Sequence, residues 1–257
     1  MLNGIDISNH QSKIDLKKVF RNTATDFVIV KATEGTHFVD KYCDRFYQVA
    51  KEAGKCLGIY HFARPDRNGA VEEAKFFVSN TKNYFGDAIP ILDWETGNVA
   101  NTGWAKEWLD TVYDLTGVRP MIYMSESVAN SYNWKSVAGA NYGLWVAKYR
   151  DFQRDYNYDM RRAGSKPKVK QWPVYAMWQW TSAGRLDGYN GDLDCNVFYG
   201  DRTAWNKYAG RSAKSVQEIA REVIDGKWGN GEERKERLTK AGYSYKEVQD
   251  KVNELLR

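Results

Sequence analysis

Cysteine is scarce in this 257-residue chain, and its placement excludes several kinds of site. Cys43, Cys56 and Cys195 are far apart, and the sequence has no CxxC pair and no cysteine–histidine cluster. Structural zinc sites use closely spaced ligands of that kind, so the sequence does not predict a zinc site. An odd number of scattered cysteines is typical of a chain kept reduced in a cytoplasm, with each thiol buried in the core.

Long apolar runs are missing too. No stretch approaches the roughly 18 apolar residues that a membrane-spanning helix needs. The first residues, MLNGIDISNHQ, lack the basic start and apolar run of a secretory signal. We therefore expect neither a membrane protein nor a Sec-exported precursor.

The chain carries little excess charge and none of the common catalytic motifs. Its net charge is +5, with basic and acidic residues interleaved, so nucleic acid is not an expected partner. There is no GxSxG, no GxxxxGK[ST] and no HExxH, and the three histidines are scattered. A serine or cysteine triad is recognised by geometry, and nothing in the sequence supports one.

Aromatic residues are abundant. Tryptophan, tyrosine and phenylalanine make up 14% of the chain, within an otherwise ordinary globular composition of 42% hydrophobic and 28% charged residues. That density suits a large core, and it equally suits a surface that stacks on the flat faces of sugar rings.

Strand-like and helix-like segments alternate over the first 208 residues. Helices are predicted near Leu16–Arg21, Asp40–Ala53, Ala70–Tyr84 and Trp104–Thr116, whereas the later connections 150–173 and 182–192 look irregular. This order predicts an α/β fold, an irregular TIM-like barrel of five βα units followed by three strands. The eight predicted strands are Gly4–Ser8, Phe27–Ala32, Leu57–Phe62, Ile89–Glu95, Pro120–Ser125, Tyr142–Tyr149, Val174–Trp180 and Leu193–Phe198.

The last residues have a different pattern. After a small polar linker, residues 209–214, the pairs Ser215/Glu218 and Ser244/Glu247 are spaced as capping boxes. Helices are predicted to end at Gly226 and at Gly242, and a third follows. The sequence thus predicts a barrel domain, 1–208, and a small three-helix module, 215–257.

Two carboxylates end the most apolar predicted strand. Side chains alternate along a strand, so Asp93 and Glu95 point to one side with Cα atoms about 6.6 Å apart. At the carboxyl end of a barrel strand such a pair can divide into a proton donor and an ionised partner, as glycosidic bond cleavage requires. A salt bridge to arginine or a helix cap is the alternative role of these acids.

Other strand ends add acids, an amide and aromatics. Together they describe a carbohydrate cleft, with rings for stacking and polar groups for hydroxyls and N-acetyl groups, although core packing is the alternative for each aromatic. The residues concerned are Asp6, Tyr60, Tyr123, Trp178, Gln179, Trp180 and Asp194.

An ordered series of motifs resembles glycoside hydrolase family 25, the Chalaropsis-type lysozymes (N-acetylmuramidases) common among phage endolysins. The series covers residues 1–208 and comprises GIDISNHQS from Gly4, VKATEGT from Val30, GIYHFA from Gly58, LDWE from Leu92, PMIY from Pro120, WQW from Trp178 and DCN from Asp194.

The resemblance implies cleavage of the β-1,4 bond between N-acetylmuramic acid and N-acetylglucosamine, without a metal or organic cofactor. It implies that Glu95 is the general acid/base and Asp93 its paired carboxylate, with Asp6 and either Asp194 or Asp192 as further cleft acids. Tyr60, Tyr123 and Gln179 match substrate-contacting positions.

The tail contains VIDGKWGNGEER from Val223, RL from Arg237 and AGYSY from Ala241. With these motifs it is similar to a single cell-wall-binding type 7 repeat, a three-helix module that binds muropeptide. The resemblance implies that Trp228 and Arg234 belong to a binding loop, and the alternative is a tight turn with a core tryptophan.

Bacterial peptidoglycan is therefore the expected partner, with no nucleic acid and no membrane, and the oligomeric state stays open. A phage-type enzyme would be made in the host cytoplasm and act on the wall after release, causing lysis. Two rival hypotheses are a chitinase or N-acetylglucosaminidase on a similar barrel and a non-catalytic wall-binding protein.

Overall fold

The computed structural model of the chain describes residues 1–211, 215–241 and 243–256. Eight strands close a barrel in which β1 pairs with both β2 and β10, and the short strands β3 and β8 are attached to it. The strands are β1 (Leu2–Ile7), β2 (Phe27–Glu34), β3 (Phe38–Val39), β4 (Cys56–Phe62), β5 (Ala88–Asp93), β6 (Met121–Ser125), β7 (Gly143–Ala147), β8 (Asp155–Tyr156), β9 (Met177–Arg185) and β10 (Leu193–Phe198).

Helices follow the first five barrel strands along the chain. The predicted stop at Gly117 is a left-handed cap with φ +69°, a conformation that glycine adopts without strain. The helices are α1 (Leu16–Asn22), α2 (Cys43–Glu52), α3 (Ala70–Thr81), α4 (Thr102–Thr116), α5 (Glu126–Ser131), α6 (Lys135–Gly139), α7 (Arg202–Tyr208), α8 (Val216–Ile224), α9 (Gly231–Lys240) and α10 (Tyr245–Leu255).

The predicted fold class is confirmed. Each predicted strand has a counterpart in the barrel, and the five βα units are followed by β7, β9 and β10. The sequence did not predict the short strands β3 and β8. All three cysteines are buried and unpaired.

The direction of β10 determines the geometry of the barrel rim. This strand is antiparallel to both of its neighbours, β1 and β9, whereas the remaining neighbours in the closed barrel run parallel. The start of β10 therefore lies at the same end of the barrel as the carboxyl ends of the other strands. In this register Asp194 pairs with Asp6.

Apolar side chains fill the opposite end of the barrel interior. Trp205 of α7 is fully buried there, packs on Phe27 and Phe198 at ring-centroid distances of 4.5 and 5.1 Å, and donates through Nε1 to the carbonyl of Leu57. Outward-facing side chains form a second core layer beneath the helices. Because side chains fill this end, which we call the base, a site can form only at the other end of the interior, where the carboxyl ends of the parallel strands lie.

The tail helices share a small core of their own. Its buried members are Ile219, Ala220, Val223, Leu238, Val248 and Val252. Ser215 and Glu218 form the predicted capping box at α8, and Ser244 caps α10 by accepting from the Glu247 amide.

The start of the predicted linker contacts the barrel. The amide of Gly86 donates to the carbonyl of Ala209, and the Arg211 guanidinium lies 3.4 Å from Asp87. Residues 212–214 of that linker and the predicted helix stop Gly242 lie outside the described residues. Within the part of the chain that is described, no helix is long and apolar enough to cross a membrane.

Candidate active site

A cleft of about 390 Å³ opens at the carboxyl end of the barrel strands, and five carboxylates line it: Asp6, Glu34, Asp93, Glu95 and Asp194. Asp93 ends β5 and follows the inward-facing Ile89 and Ile91 at spacing two, so the strand period directs it into the cleft. Glu95 lies two residues further on and is exposed at the mouth. The cleft thus contains the predicted pair side by side.

Two further acids come from the antiparallel pair of β1 and β10. Asp6 and Asp194 face each other in register, and both line the cleft. Asp192 lies elsewhere: it is exposed and forms a 2.7 Å ion pair with Arg185. Of the two alternatives for the fourth acid, the structure brings Asp194 to the site.

Asp6 is held by two amide side chains. Its Oδ2 accepts from Nε2 of Gln179 at 2.9 Å and from Nδ2 of Asn196 at 2.6 Å. The oxygen of Asn196 in turn accepts from Nε1 of Trp145 at 2.9 Å. Since the indole can only donate, it orients the Asn196 amide with its nitrogen toward Asp6.

Two tyrosines orient Gln179 in the same way. The hydroxyl of Tyr123 donates to Oε1 of Gln179 at 2.7 Å, and the hydroxyl of Tyr149 donates to the same oxygen. The amide nitrogen is thereby directed at Asp6. Gln179 is buried, so this chain of bonds is shielded from water and holds Asp6 rigidly.

Desolvation raises the pKa of four of the five cleft carboxyls, whereas at Glu34 the hydrogen bonds from Lys31 and Arg64 outweigh burial and lower the pKa. Burial raises the pKa values of Asp93 and Asp6 well above their usual range, and neighbouring carboxylates add to the effect. The pKa of Asp194 rises to about 7, and that of Glu95 rises as well, in both cases mainly through burial. A raised carboxyl pKa favours the protonated form that general acid catalysis requires.

One oxygen of Asp93 has no protein partner. Among the described residues, Oδ1 of Asp93 is a buried atom without a hydrogen bond. An unsatisfied buried acceptor beside a cleft is available to a donor on a bound ligand.

A lysine that the sequence prediction missed faces these acids. Lys31 lines the cleft and is buried; its Nζ lies 2.6 Å from Oε2 of Glu34 and 5.2 and 4.7 Å from the ring centroids of Phe38 and Phe62. Its charge opposes the effect of burial on the pKa values of Asp93 and Glu95. A charged residue inside the apolar run Phe27–Ala32 was the signal that could have identified it.

The predicted placement of Trp178 and Trp180 at the cleft is wrong. Both indoles are almost fully buried in the outer core layer, and Nε1 of Trp178 donates to the carbonyl of Lys148. Neighbours on a strand point to opposite faces, so Gln179 can face the cleft only if both tryptophans face away. Trp145 and Tyr149 line the cleft instead. Trp145 is on β7 and Tyr149 lies four residues further along the chain, so the two side chains fall on the same face.

Tyr60 and Tyr123 lie in the cleft wall. Burial raises the pKa of both phenols, and the nearby carboxylates raise that of Tyr60 further. Both hydroxyls therefore remain protonated; that of Tyr123 already donates to Gln179, whereas that of Tyr60 can donate to a ligand.

Trp228 and Arg234, the two predicted tail residues, are in the module and do not line the cleft. Nε1 of Trp228 donates to Glu222 at 3.1 Å, and its ring meets the edge of Tyr243 at a centroid distance of 6.1 Å. The guanidinium of Arg237 lies 5.9 Å from the indole ring.

Arg234 joins the glycine loop to α10. It donates to the carbonyl of Gly229, to Oδ1 of Asn230 and to Oε1 of Gln249. These bonds fix the turn between α8 and α9. No group of three histidine, cysteine or acidic side chains in the described ranges is arranged to hold a metal ion.

A barrel with five carboxylates, tyrosines and amides around one open cleft is the architecture of a carbohydrate-active hydrolase. The family model "Glycosyl hydrolases family 25" matches residues 5–189, and the "CW_7 repeat" model matches residues 217–256.

Curated relatives agree with these matches. The protein YegX of Escherichia coli (strain K12) is 32% identical over 208 residues, covering 77% of this chain and 70% of its own length. Lysozyme M1 of Streptomyces globisporus is 30% identical over 213 residues, covering 77% and 67%. The lysozyme of Streptococcus phage Cp-7 is 28% identical over 262 residues, covering 98% and 69%.

A solved structure has the same fold. The bacterial lysozyme from Streptomyces coelicolor superposes with a TM-score of 0.67 at 25% identity, covering 82% of this chain and 98% of its own. The chain belongs to family 25 of the glycosyl hydrolases. It is a lysozyme that hydrolyses the bond between N-acetylmuramic acid and N-acetylglucosamine in peptidoglycan, and it carries a cell-wall-binding repeat.

Proposed function

We propose that Glu95 is the general acid/base of this lysozyme and that Asp93 is its paired carboxylate. The supporting observation is their unequal burial in one cleft: Asp93 is 8% exposed, whereas Glu95 is exposed at the mouth and has a raised pKa. A protonated Glu95 can give its proton to the leaving glycosidic oxygen and then take one from the attacking group.

Asp93 orients the reacting sugar. Its unpartnered Oδ1 can accept the N–H of the 2-acetamido group, which brings the acetamido oxygen toward the anomeric carbon. The buried amide network keeps Asp6 in position across the cleft, and Asp194 lies beside it. The hydroxyl of Tyr60 can donate to the glycan and that of Tyr123 can accept from it, whereas Gln179 acts by holding Asp6 in place.

The test of this assignment is Glu95→Gln. We expect it to abolish the clearing of purified walls while wall binding is retained, because the amide preserves shape but cannot transfer a proton. Glu107→Gln, an exposed position on α4, is the matched control and should clear walls normally. Undiminished clearing by the Glu95 variant would refute its role.

Product analysis separates this reaction from the rival bond specificity. Wild-type digests of a defined peptidoglycan should carry new N-acetylmuramic acid reducing ends. New N-acetylglucosamine reducing ends would identify a glucosaminidase instead.

We propose that the tail module holds muropeptide and keeps the enzyme on the wall. The repeat match over residues 217–256 supports this, and the loop around Trp228 and Arg234 offers an indole and cations. The similarity to a phage lysozyme over 98% of the chain supports an endolysin role, in which the enzyme is made in an infected cytoplasm and lyses the cell after release.

A further inference from the structure

A second concave surface lies outside the catalytic cleft. It is a groove of about 640 Å³ between the crossover segment 166–176 and the region formed by the end of β10 and α7, and it shares no lining residue with the cleft. Its walls are aromatic rings and prolines, chiefly Trp172, Tyr175, Tyr199, Tyr208 and Pro173. We call it the flank groove.

The flank groove reaches the end of the barrel opposite the carboxylates. The amide of Tyr199, directly after β10, donates to the carbonyl of Ala176, and Phe198 pairs with Met177 at the start of β9. Since β10 is antiparallel, its end is at the base of the barrel. A ligand in this groove would leave the cleft free.

Unpaired positive charge borders the groove. Residues 161–170, RRAGSKPKVK, contain five basic residues and no acid. Arg161 and Arg162 pair with Asp159 and Asp155, but among the described residues Lys166 and Lys168 are exposed and have no carboxylate partner. Both line the groove, and Nζ of Lys166 lies 5.5 Å from the ring centroid of Tyr199.

Hydrogen bonds hold the lysine-bearing segment in shape. The amide of Lys168 donates to Glu126 at 2.6 Å, Asn130 exchanges bonds with Lys168 and Lys170, and Gln171 donates to the carbonyl of Tyr132. A wall fixed before binding loses little conformational entropy when a ligand binds.

We propose that the flank groove binds a second stretch of peptidoglycan, with sugar rings against its aromatic walls and carboxylates of the muramic acid side chains and peptide stems at Lys166 and Lys168. Aromatic faces match the apolar faces of sugars, and free ammonium groups match a polymer that carries acidic groups at regular intervals. The proposal rests on the proposed function, because it concerns the same substrate. Two attachment points on one insoluble polymer raise the local substrate concentration at the cleft.

The experiment uses the full chain and compares insoluble walls with a soluble tetrasaccharide-peptide fragment that contains one cleavable bond and fills only the cleft. Lys166→Ser/Lys168→Ser and, separately, Tyr175→Ala should raise the apparent KM for walls at least about threefold and leave kcat/KM for the fragment unchanged. The matched control, Lys135→Ser/Lys170→Ser, removes the same charge from exposed positions outside the groove and should behave as wild type.

A wild-type apparent KM for walls in both groove variants would overturn the proposal. An equal rise in the apparent KM of the control variant would also overturn it, because the effect would then come from net charge alone. A parallel loss on the soluble fragment would also overturn it, since the groove would then act through the cleft. Failure of the wild-type chain to cleave the fragment would count against the proposed function instead. In that case, sedimentation of the same variants with walls tests the binding proposal for the flank groove, and unchanged wall binding would refute that proposal.

Discussion

Asp93 and Glu95 are separated by one residue yet experience different surroundings. Trp94 between them is fully buried in the outer core layer and donates through Nε1 to the carbonyl of Val99, which anchors the chain as it leaves β5. Asp93 remains inside the barrel and Glu95 projects into the mouth. This anchoring lets one triplet supply both a shielded carboxylate and an accessible acid.

At the residue scale, Asp194 should make stability depend on pH. Its carboxyl has a pKa of about 7 in the folded chain against an ordinary value of 3.8, so ionisation weakens the folded state as pH rises between these values. Asp194→Asn removes this effect. The free energy of unfolding of the variant relative to wild type should therefore increase from pH 4 to pH 7, by at most about 1.4 kcal/mol per pH unit. Thermal melts of both proteins at each pH measure this difference. A constant difference across that range would contradict the assignment.

Lys31 should control the pH dependence of catalysis. Because its charge holds down the pKa values of Asp93 and Glu95, Lys31→Met should raise both and move the whole kcat/KM profile toward higher pH. We expect about a tenfold loss on the acidic limb. Lys31→Arg keeps the charge and serves as the control. A uniform loss with an unmoved profile would mean that Lys31 only shapes the cleft.

At the element scale, side chains that alternate along β9 place a residue of the outer core next to a residue of the cleft. Trp178 and Gln179 are adjacent on β9 but belong to the outer core and to the cleft, respectively. Trp178→Ala should cost about 3–5 kcal/mol of stability and keep the pH profile of the surviving enzyme, as measured by denaturant unfolding and kinetics.

Gln179→Ala should instead reduce catalysis more than stability. We expect a stability cost of about 1–3 kcal/mol and at least about a tenfold fall in kcat/KM, since Asp6 loses a donor and two tyrosine hydroxyls lose their acceptor. Trp178→Phe controls for packing. Equal kinetic damage from the two alanine variants would mean that the faces are assigned wrongly.

The strands were predictable from sequence because buried barrel strands are apolar runs, as Phe27–Val30 and Ile89–Leu92 illustrate. The direction of β10 was not recognised, since an apolar pattern reads the same either way. The short connection 186–192 was the available signal, because a parallel crossover needs a dozen or more residues. The error at Trp178 and Trp180 arose because the alternation applied to Asp93 and Glu95 was not applied there.

At the scale of the whole molecule, the barrel and the module should separate. Truncation after Arg211 should leave a folded chain that cleaves a soluble fragment normally and binds walls about tenfold or more weakly, because Ala209 and Arg211 stay with the barrel they contact. Circular dichroism and wall sedimentation measure the two properties. A truncated chain that does not fold would contradict the division into domains.

Truncation after Tyr208 makes the comparison sharper. It removes Ala209, which is fully buried and accepts a hydrogen bond from Gly86, so this shorter chain should melt at a lower temperature than the one ending at Arg211.

The pairing of β1 with β10 also constrains when an active molecule can exist. Asn196 donates to Asp6 across 190 positions of the chain, so the first strand has no partner on that side until nearly the whole barrel has left the ribosome. Contacts between such distant parts of a chain form late and slowly during folding. A nascent chain shorter than about 200 residues therefore has neither a closed barrel nor a complete set of cleft acids, and hydrolytic activity arises only once synthesis has passed β10.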